Sequence, residues 1–353
     1  HQALFPLPLD SPLMPPTACL SHRLAVLFAL FVLLVQPCLA APGPDQARLV
    51  LAGPPSSVSF PLIHMHESGA LNDLGMPVEF VLWSNPDQLR ALVIGNQAQF
   101  IAVPTNVAAN LYNRGVPIRL LNVSAWGSLW MVSRTPGMRT LADFKGQEVA
   151  IPFRADMPDI LFRFLVEQQG LDPHKDFRLR YTATPLDALQ LLIMRQVDHA
   201  LLAEPAVSMA LRKTRSFPVS IVAPELFRSV NLQEQWGTLF GNQARIPQAG
   251  LAAIGPARLD PQLSQRLAEA YARSNSWCFE HAQECAEMVV RHIPMLSPEA
   301  IVDSLQVLPR YQASAAQARP ELETFFQLLL QRQPSNIGGK LPDAGFYAGA
   351  QTP

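Results

Sequence analysis

The sequence predicts an α/β protein built on parallel sheets. Three observations carry that prediction. Short apolar runs stop at a proline or a polar loop, as at 99–103 and 147–152. Each run is followed by a segment whose apolar residues recur at helical spacing. The order strand, polar loop, helix then appears in both halves of the chain. That order builds parallel sheets whose carboxyl-edge loops face ligands.

Taken in order, the chain opens with His22 and Arg23, the apolar run 24–35, and Gln36-Pro37-Cys38-Leu39-Ala40-Ala41. A basic flank, a short apolar segment and small residues after it read as a secretory signal peptide over 1–40, cleaved after Ala40 or Ala41. Met14 is a better initiator than His1. The apolar run is shorter than the roughly 20 residues a membrane span takes. Competing readings are a retained anchor or a lipid on Cys38, the latter disfavoured by Pro37.

The run 47–52 reads as the first strand. Gly53-Pro54-Pro55-Ser56-Ser57-Val58-Ser59 leads into a helix near Phe60. Ser57 and Ser59 fit either helix caps or contacts to an anionic or polar ligand head. His64 and His66 stand two apart, so on a helix they face apart and read as an exposed pair rather than a metal site. The strand 78–82 ends at Trp83-Ser84-Asn85, and Pro86 opens a helix with Leu89, Leu92 and Val93 inward. The strand 99–103 ends at Pro104-Thr105-Asn106, before a helix over 107–113. Strands 118–123 and 129–133 flank 124–128, which reads as a crossing between two lobes, with Trp126 either hinge core or cleft lining. Asn122-Val123-Ser124 is a glycosylation sequon by pattern only.

The second half repeats the plan. The strand 147–152 runs into a polar loop, 154–159, where Asp159 reads as the cap of a helix carrying Ile160, Leu161, Phe164 and Leu165. Gly170 ends that helix. A strand over 177–182, a helix over 186–195 opened by Pro185, and a strand over 197–202 ending at Glu204-Pro205 follow.

Three segments of this half form a recognisable set. They are Thr140-Leu141-Ala142-Asp143-Phe144-Lys145-Gly146, Gly170-Leu171-Asp172-Pro173-His174-Lys175-Asp176, and Val197-Asp198-His199-Ala200-Leu201-Leu202-Ala203-Glu204-Pro205-Ala206. Together they resemble the second-lobe core of the periplasmic solute-binding proteins of ABC importers for nitrate, sulfonate, taurine and thiamine-precursor ligands. The resemblance implies a two-lobed type II periplasmic-binding fold. Each lobe would be a mostly parallel sheet flanked by helices, and a two-strand hinge would join them. Lobe 1 would be 41–124 plus 246–353, and lobe 2 would be 125–245.

The resemblance also implies a periplasmic monomer that holds a small organic or oxyanionic ligand between the lobes. It would hand that ligand to an ABC permease in the inner membrane, without cofactor or catalysis. A ligand sensor signalling to a membrane receptor is the alternative. Relatives that act as enzymes in thiamine-pyrimidine synthesis do so through a cysteine-rich motif that this sequence lacks. Strand-end position in the family makes Ser57, Ser59, Trp83, Thr105 and Asn106 the first-lobe contacts, and Arg154, Asp156 and Glu204 the second-lobe ones. Arg154 suits a two-pronged grip on a carboxylate, sulfonate or nitrate, or else pairs with Asp156 or Asp159. Glu204 suits a ligand amine, or else a hinge-side hydrogen bond. Trp83, Trp126 and Trp236 would offer flat surfaces to a ring.

Beyond Glu204, a helix is expected over 206–211 with a solvated basic end at Arg212-Lys213-Thr214-Arg215. A strand is expected over 219–222, and Trp236 falls in a polar segment, 233–241. The strand 245–254 reads as the second crossing. Helices are expected over 261–280, 283–292, 298–305 and 320–332, with Leu259, Leu263, Leu267 and Tyr271 on one face. Cys278 and Cys285 would lie about 10.5 Å apart along one straight helix, too far for a disulfide. A helix break near His281 would let them meet, and export makes the bond plausible. Metal binding by both cysteines with His281 lacks a fourth ligand.

Composition excludes other classes. Net charge is −1 and charged residues are only 16 % of 353, with no basic run to bind nucleic acid. Dinucleotide, P-loop, serine-hydrolase and zinc spacings are absent from the sequence.

Overall fold

The computed structural model describes residues 47–241 and 243–349. The expected signal peptide, with Cys19 and Cys38, lies outside the described residues.

The chain enters through β1 (Leu49–Gly53), a strand buried at every position. A 3-10 turn at Ser57–Ser59 leads into α1 (Phe60–Glu67). Then β2 (Val78–Leu82), α2 (Pro86–Ile94), β3 (Phe100–Pro104) and α3 (Thr105–Asn113) alternate. β1 pairs in parallel with β2 and with β3. β4 (Ile118–Leu120) belongs to the same sheet, and the short β5 (Asn122–Val123) and β6 (Ala125–Trp126) lead the chain away. At Gly127 the backbone takes φ 50°, and a Cβ there would sit 2.4 Å from Gln233 Oε1. The crossing therefore needs glycine at that point.

The second sheet follows. Its strands are β7 (Leu129–Ser133), β8 (Glu148–Pro152), β9 (Arg178–Thr182), β10 (His199–Ala203) and β11 (Phe227–Asn231), in spatial order β11-β7-β10-β8-β9. β8 is parallel to β9 and β10, while β7 runs antiparallel to β10 and β11. Between them lie α4 (Met157–Gln168), α5 (Pro185–Ile193), α6 (Ala206–Arg215) and α7 (Val219–Val222); α8 (Leu232–Phe240) follows β11.

β12 (Pro247–Ile254) returns to the first sheet, antiparallel to β3 and β4, and the order there is β2-β1-β3-β12-β4. The carboxyl part is helical: α9 (Pro261–Glu280), α10 (Ala282–His292), α11 (Pro298–Val307) and α12 (Ala315–Arg332), with β13 (Ala313–Ser314) paired to β5.

Strand alternation sorts the core. Leu51, Phe100 and Leu251 pack with Leu62, Leu267 and Tyr271 from α1 and α9. Val50, Ile101 and Ala252, on the opposite face, belong to a cluster that continues through Phe325 of α12 to Ile151 and Leu161 of the second sheet's layer.

Several expectations are corrected. Residues 219–222 form the short helix α7, not a strand, and Ile221 and Val222 are exposed. The edge beside β7 is taken by β11, so this β-branched run has no sheet to join; strand preference follows context more than composition. Asp156, not Asp159, caps α4, accepting from Met157 N at 2.6 Å. Asp159 is instead buried and holds Arg163 and Tyr181. α12 starts five residues before Pro320, because Ser314 and Gln317 form a capping box. Leu259 precedes α9 and is exposed, so the apolar face begins at Leu263. His64 and His66 are half-buried. His64 stacks on Trp277 and meets Ser274 at 2.8 Å, and His66 meets the Val78 carbonyl at 2.7 Å. Helix α9 breaks at His281, and Cys278 and Cys285 are bridged with their Cα atoms 5.2 Å apart.

Candidate functional site

A cavity of ≈ 290 Å³ lies where strands of both sheets end. The residues after β1, β2 and β3 supply Pro54, Trp83 and Asn106 to it. Those at or after β8, β9 and β10 supply Phe153, Asp156, Thr184 and Glu204. This is the carboxyl edge where α/β sheets bind ligands, because the parallel strands feed into helix starts there. The lining is mainly apolar, with Leu89, Val107, Leu129, Met157, Leu186 and Leu296.

Two carboxylates line the cavity, and their environments differ. Glu204 is buried. Its Oε2 accepts from Ser208 N at 3.1 Å and Ser208 Oγ at 2.8 Å, and its Oε1 accepts from both Nε and Nη2 of Arg228. Its charge is thus matched, and neither oxygen is unengaged. Asp156 accepts only from neutral donors: Met157 N, Asn106 Nδ2 at 2.8 Å and Asn336 Nδ2 at 3.1 Å. All three bonds end on Oδ1. Among the described residues, Oδ2 accepts no hydrogen bond.

Two further polar atoms are buried without a partner. Trp83 is 7 % exposed, and its Nε1–H has no partner among the described residues. Asn106 is 1 % exposed; its amide nitrogen is shared between Asp156 and Asn336, and its Oδ1 is unpartnered. Buried polar groups left unpaired cost free energy unless a ligand or water satisfies them.

The remaining expected contacts sit elsewhere. Ser57 lines the cavity, but Ser59 is buried behind it and donates to the Pro54 carbonyl at 2.6 Å. Thr105 is buried and donates to the Pro247 carbonyl at 2.6 Å. Both hydroxyls are used to hold strand-end backbone. Trp126 is buried, donates to the Val123 carbonyl at 3.1 Å, and borders only a void of ≈ 20 Å³, room for about one water. Trp236 offers no surface to the cavity: it lies on α8, sealed among Phe164, Phe240 and Phe325.

Arg154 is exposed and outside the cavity lining. Phe153 and Ala155 on either side take φ 60°, a strained value for residues with a Cβ. The strain is held by Ala155 N donating to Asp159 Oδ2 at 2.8 Å and Phe153 N donating to the Thr182 carbonyl at 3.0 Å. It turns Phe153 toward the cavity, while the Arg154 guanidinium lies 5.1 Å over the Tyr181 ring. Burial and then the Asp159 carboxylate push the Tyr181 phenol up to about 12, so it stays a donor to Asp159. The partner of Asp159 is Arg163, at 3.1 Å, rather than Arg154.

Sequence reasoning missed Asn336, Arg228, Gln248 and Phe153. Asn336 reaches Asp156 across 180 residues of sequence, and no local pattern announces it. Arg228 was hidden by the misplaced strand over 219–222.

No group of three or more histidine, cysteine or acidic residues placed to hold a metal occurs among the described residues. No helix among them is long and apolar enough to cross a membrane.

No family model matches the sequence, and no curated protein does either. Solved structures do match. An ABC transporter from Parabacteroides distasonis shares 24 % identity at TM-score 0.68, covering 86 % of this chain and 99 % of that one. The periplasmic aliphatic sulphonate binding protein SsuA from Escherichia coli shares 17 % at TM-score 0.61, covering 85 % and 93 %. The periplasmic nitrate-binding protein NrtA from Synechocystis shares 16 % at TM-score 0.61, covering 83 % and 85 %. These neighbours are transport solute-binding proteins. Likeness at such identities speaks to architecture, and this chain has the α/β fold of ABC-transporter periplasmic binding proteins.

Proposed function

We propose that this protein is the solute-binding component of an ABC importer, working in the periplasm and delivering a small organic or oxyanionic ligand to an inner-membrane permease. The observation that carries the reading is the cavity of ≈ 290 Å³ at the carboxyl ends of both sheets, lined by residues from each. A site shared in this way is completed when two lobes close, and closure excludes water from its hydrogen bonds. The lobes are taken as 41–124 plus 246–353 and 125–245, with the crossings near Gly127 and before β12 as the hinge. The bond from Asn106 to Asp156 is then a contact between lobes made on closure.

The reading assigns no catalysis. Glu204, the buried acid of the cavity, is engaged by Arg228 and Ser208, and the lining holds no cysteine, histidine or lysine to act as nucleophile or base.

The test is native mass spectrometry of protein purified without refolding, paired with a thermal-shift panel of organic and oxyanionic solutes. A retained small molecule, or a solute that raises the melting temperature and is recovered unchanged, is the expected result. Protein that carries no solute and is stabilised by none overturns the reading. Conversion of a bound solute to product overturns the non-catalytic part of it.

A further inference from the structure

The solved neighbours include binders of nitrate and of sulfonates, both small oxyanions. The side chains of this cavity are poorly matched to such a ligand. No lysine, arginine or histidine is among its lining residues. Arg228, which lies behind the lining, is already paired with Glu204.

Helix starts are the other common source of anion binding, through their free N–H groups. Of the helix starts that reach the cavity, those of α2, α4, α5 and α6 have donors partly removed or taken, while the start of α3 and the 3-10 turn at Ser57–Ser59 carry no side-chain cap. Pro86, Pro158 and Pro185 stand in the first turns of α2, α4 and α5, and Pro205 stands directly before α6. A proline has no N–H to offer. Asn85 accepts from Asp87 N and Gln88 N, Asp156 from Met157 N, Thr184 from Asp187 N, and Glu204 from Ser208 N. Eight of the 32 lining residues are prolines, so the rim is rigid and poor in backbone donors.

What remains is an acceptor with a charge. Asp156 keeps Oδ2 without a hydrogen bond, and no cation lies within ion-pair distance of its carboxylate among the described residues. The side chains of Trp83, Leu89 and Phe153 line the same cavity and offer it apolar surface. Size points the same way. The cavity is about twice the ~150 Å³ that holds one benzene, far more than nitrate fills.

We infer that the ligand is a ring-bearing organic cation of about two-ring size, its protonated nitrogen held by Asp156 Oδ2 and its apolar body lying against Trp83, Leu89 and Phe153. This rests on the solute-binding reading above. An ammonium or amidinium has donors only, which matches a charged acceptor with no hydrogen bond of its own. An anion would meet an uncompensated carboxylate in an apolar, partly enclosed site, the least favourable place for like charges.

The test uses a matched pair with one ring system and opposite charge. Purified protein is titrated with tryptamine, indole-3-acetate, nitrate and methanesulfonate, and native mass spectrometry identifies any solute retained from the producing cell. Tryptamine is expected to bind at least about tenfold more tightly than indole-3-acetate. Asp156→Asn keeps a good helix cap, so the fold is retained, and it should reduce that ratio below about threefold. A melting temperature within a few degrees of the parent's shows that the variant is folded and the loss local. Tighter binding of indole-3-acetate, nitrate or methanesulfonate, or a retained solute that is anionic or uncharged, overturns the ligand class and leaves the solute-binding reading standing. No binding by any of the four and no retained solute overturns both.

Discussion

The Asn106 side chain donates a 2.8 Å hydrogen bond to Asp156, although the two residues follow strands of different sheets. Asn106 stands at the start of α3, after β3. Asp156 stands at the cap of α4, after β8. Asn336 joins them both, donating to Asp156 Oδ1 at 3.1 Å and accepting from Asn106 Nδ2 at 2.8 Å. One carboxylate oxygen thus ties the two sheets and the segment after α12 together at the edge of the cavity.

That junction gives the first prediction. Asp156→Ala removes the α4 cap and leaves Asn106 and Asn336 without their shared acceptor, so it should cost about 1–3 kcal/mol. Asp156→Asn should cost less than half as much. Urea denaturation measures both, and an Ala variant as stable as the parent would remove any structural role for the junction.

The Glu204–Arg228 pair behaves differently, because the Glu204 side chain has no exposure while Arg228 is partly open. Arg228→Leu strands a buried carboxylate and should destabilise by about 3 kcal/mol, whereas adding Glu204→Gln should recover most of the loss. A double-mutant cycle reads the coupling, and additive effects would mean the two charges act independently.

Two histidines set a pH response. Burial lowers the pKa of His199, which sits against Phe144 and 2.9 Å from Ser133 Oγ. Burial, then the charge of His281, lowers that of His64. Below the ordinary value of 6.5 the unfolded chain takes up protons that the folded protein refuses. Stability therefore falls as pH drops from 6.5 toward the folded values, by at most about 1.4 kcal/mol per pH unit per histidine. His199→Asn should flatten that slope when denaturation is compared across this range. An unchanged slope would assign the response to other groups.

The Cys278–Cys285 bridge closes a short loop where α9 turns into α10. Protein beginning after residue 41 and purified from an oxidising compartment should show no free thiol until reduced, then two. Cys278→Ala with Cys285→Ala should lower stability by about 2 kcal/mol. A thiol count of two before reduction would rule the bond out in solution.

Trp83 and Arg154 separate the cavity from its surface. Trp83→Phe shrinks the aromatic surface offered to the ring and should weaken solute binding by about fivefold. Arg154→Ala should leave affinity within about twofold, since the guanidinium lies over Tyr181 outside the lining. Isothermal titration of both variants decides, and the reverse ranking would return Arg154 to the site.

Much of the architecture was legible locally. Alternating apolar strands and proline-opened helices placed β2 and α9 at their observed bounds and α2 at its observed start, because side-chain periodicity and Pro at a helix start are properties of a few neighbouring residues. The strand-end positions of Ser57, Trp83, Asn106, Asp156 and Glu204 followed from the same reading. Tertiary structure decided what those ends do. Ser59 and Thr105 were turned to backbone carbonyls, and Arg154 was turned outward by two residues at positive φ. Glu204 was neutralised by Arg228, and Asp156 was left with one open oxygen by partners as distant in sequence as Asn336. A sequence states which groups can carry charge. Only the folded chain brings distant partners close enough to cancel that charge or to leave it exposed to a ligand, since both effects depend on separations of a few ångströms.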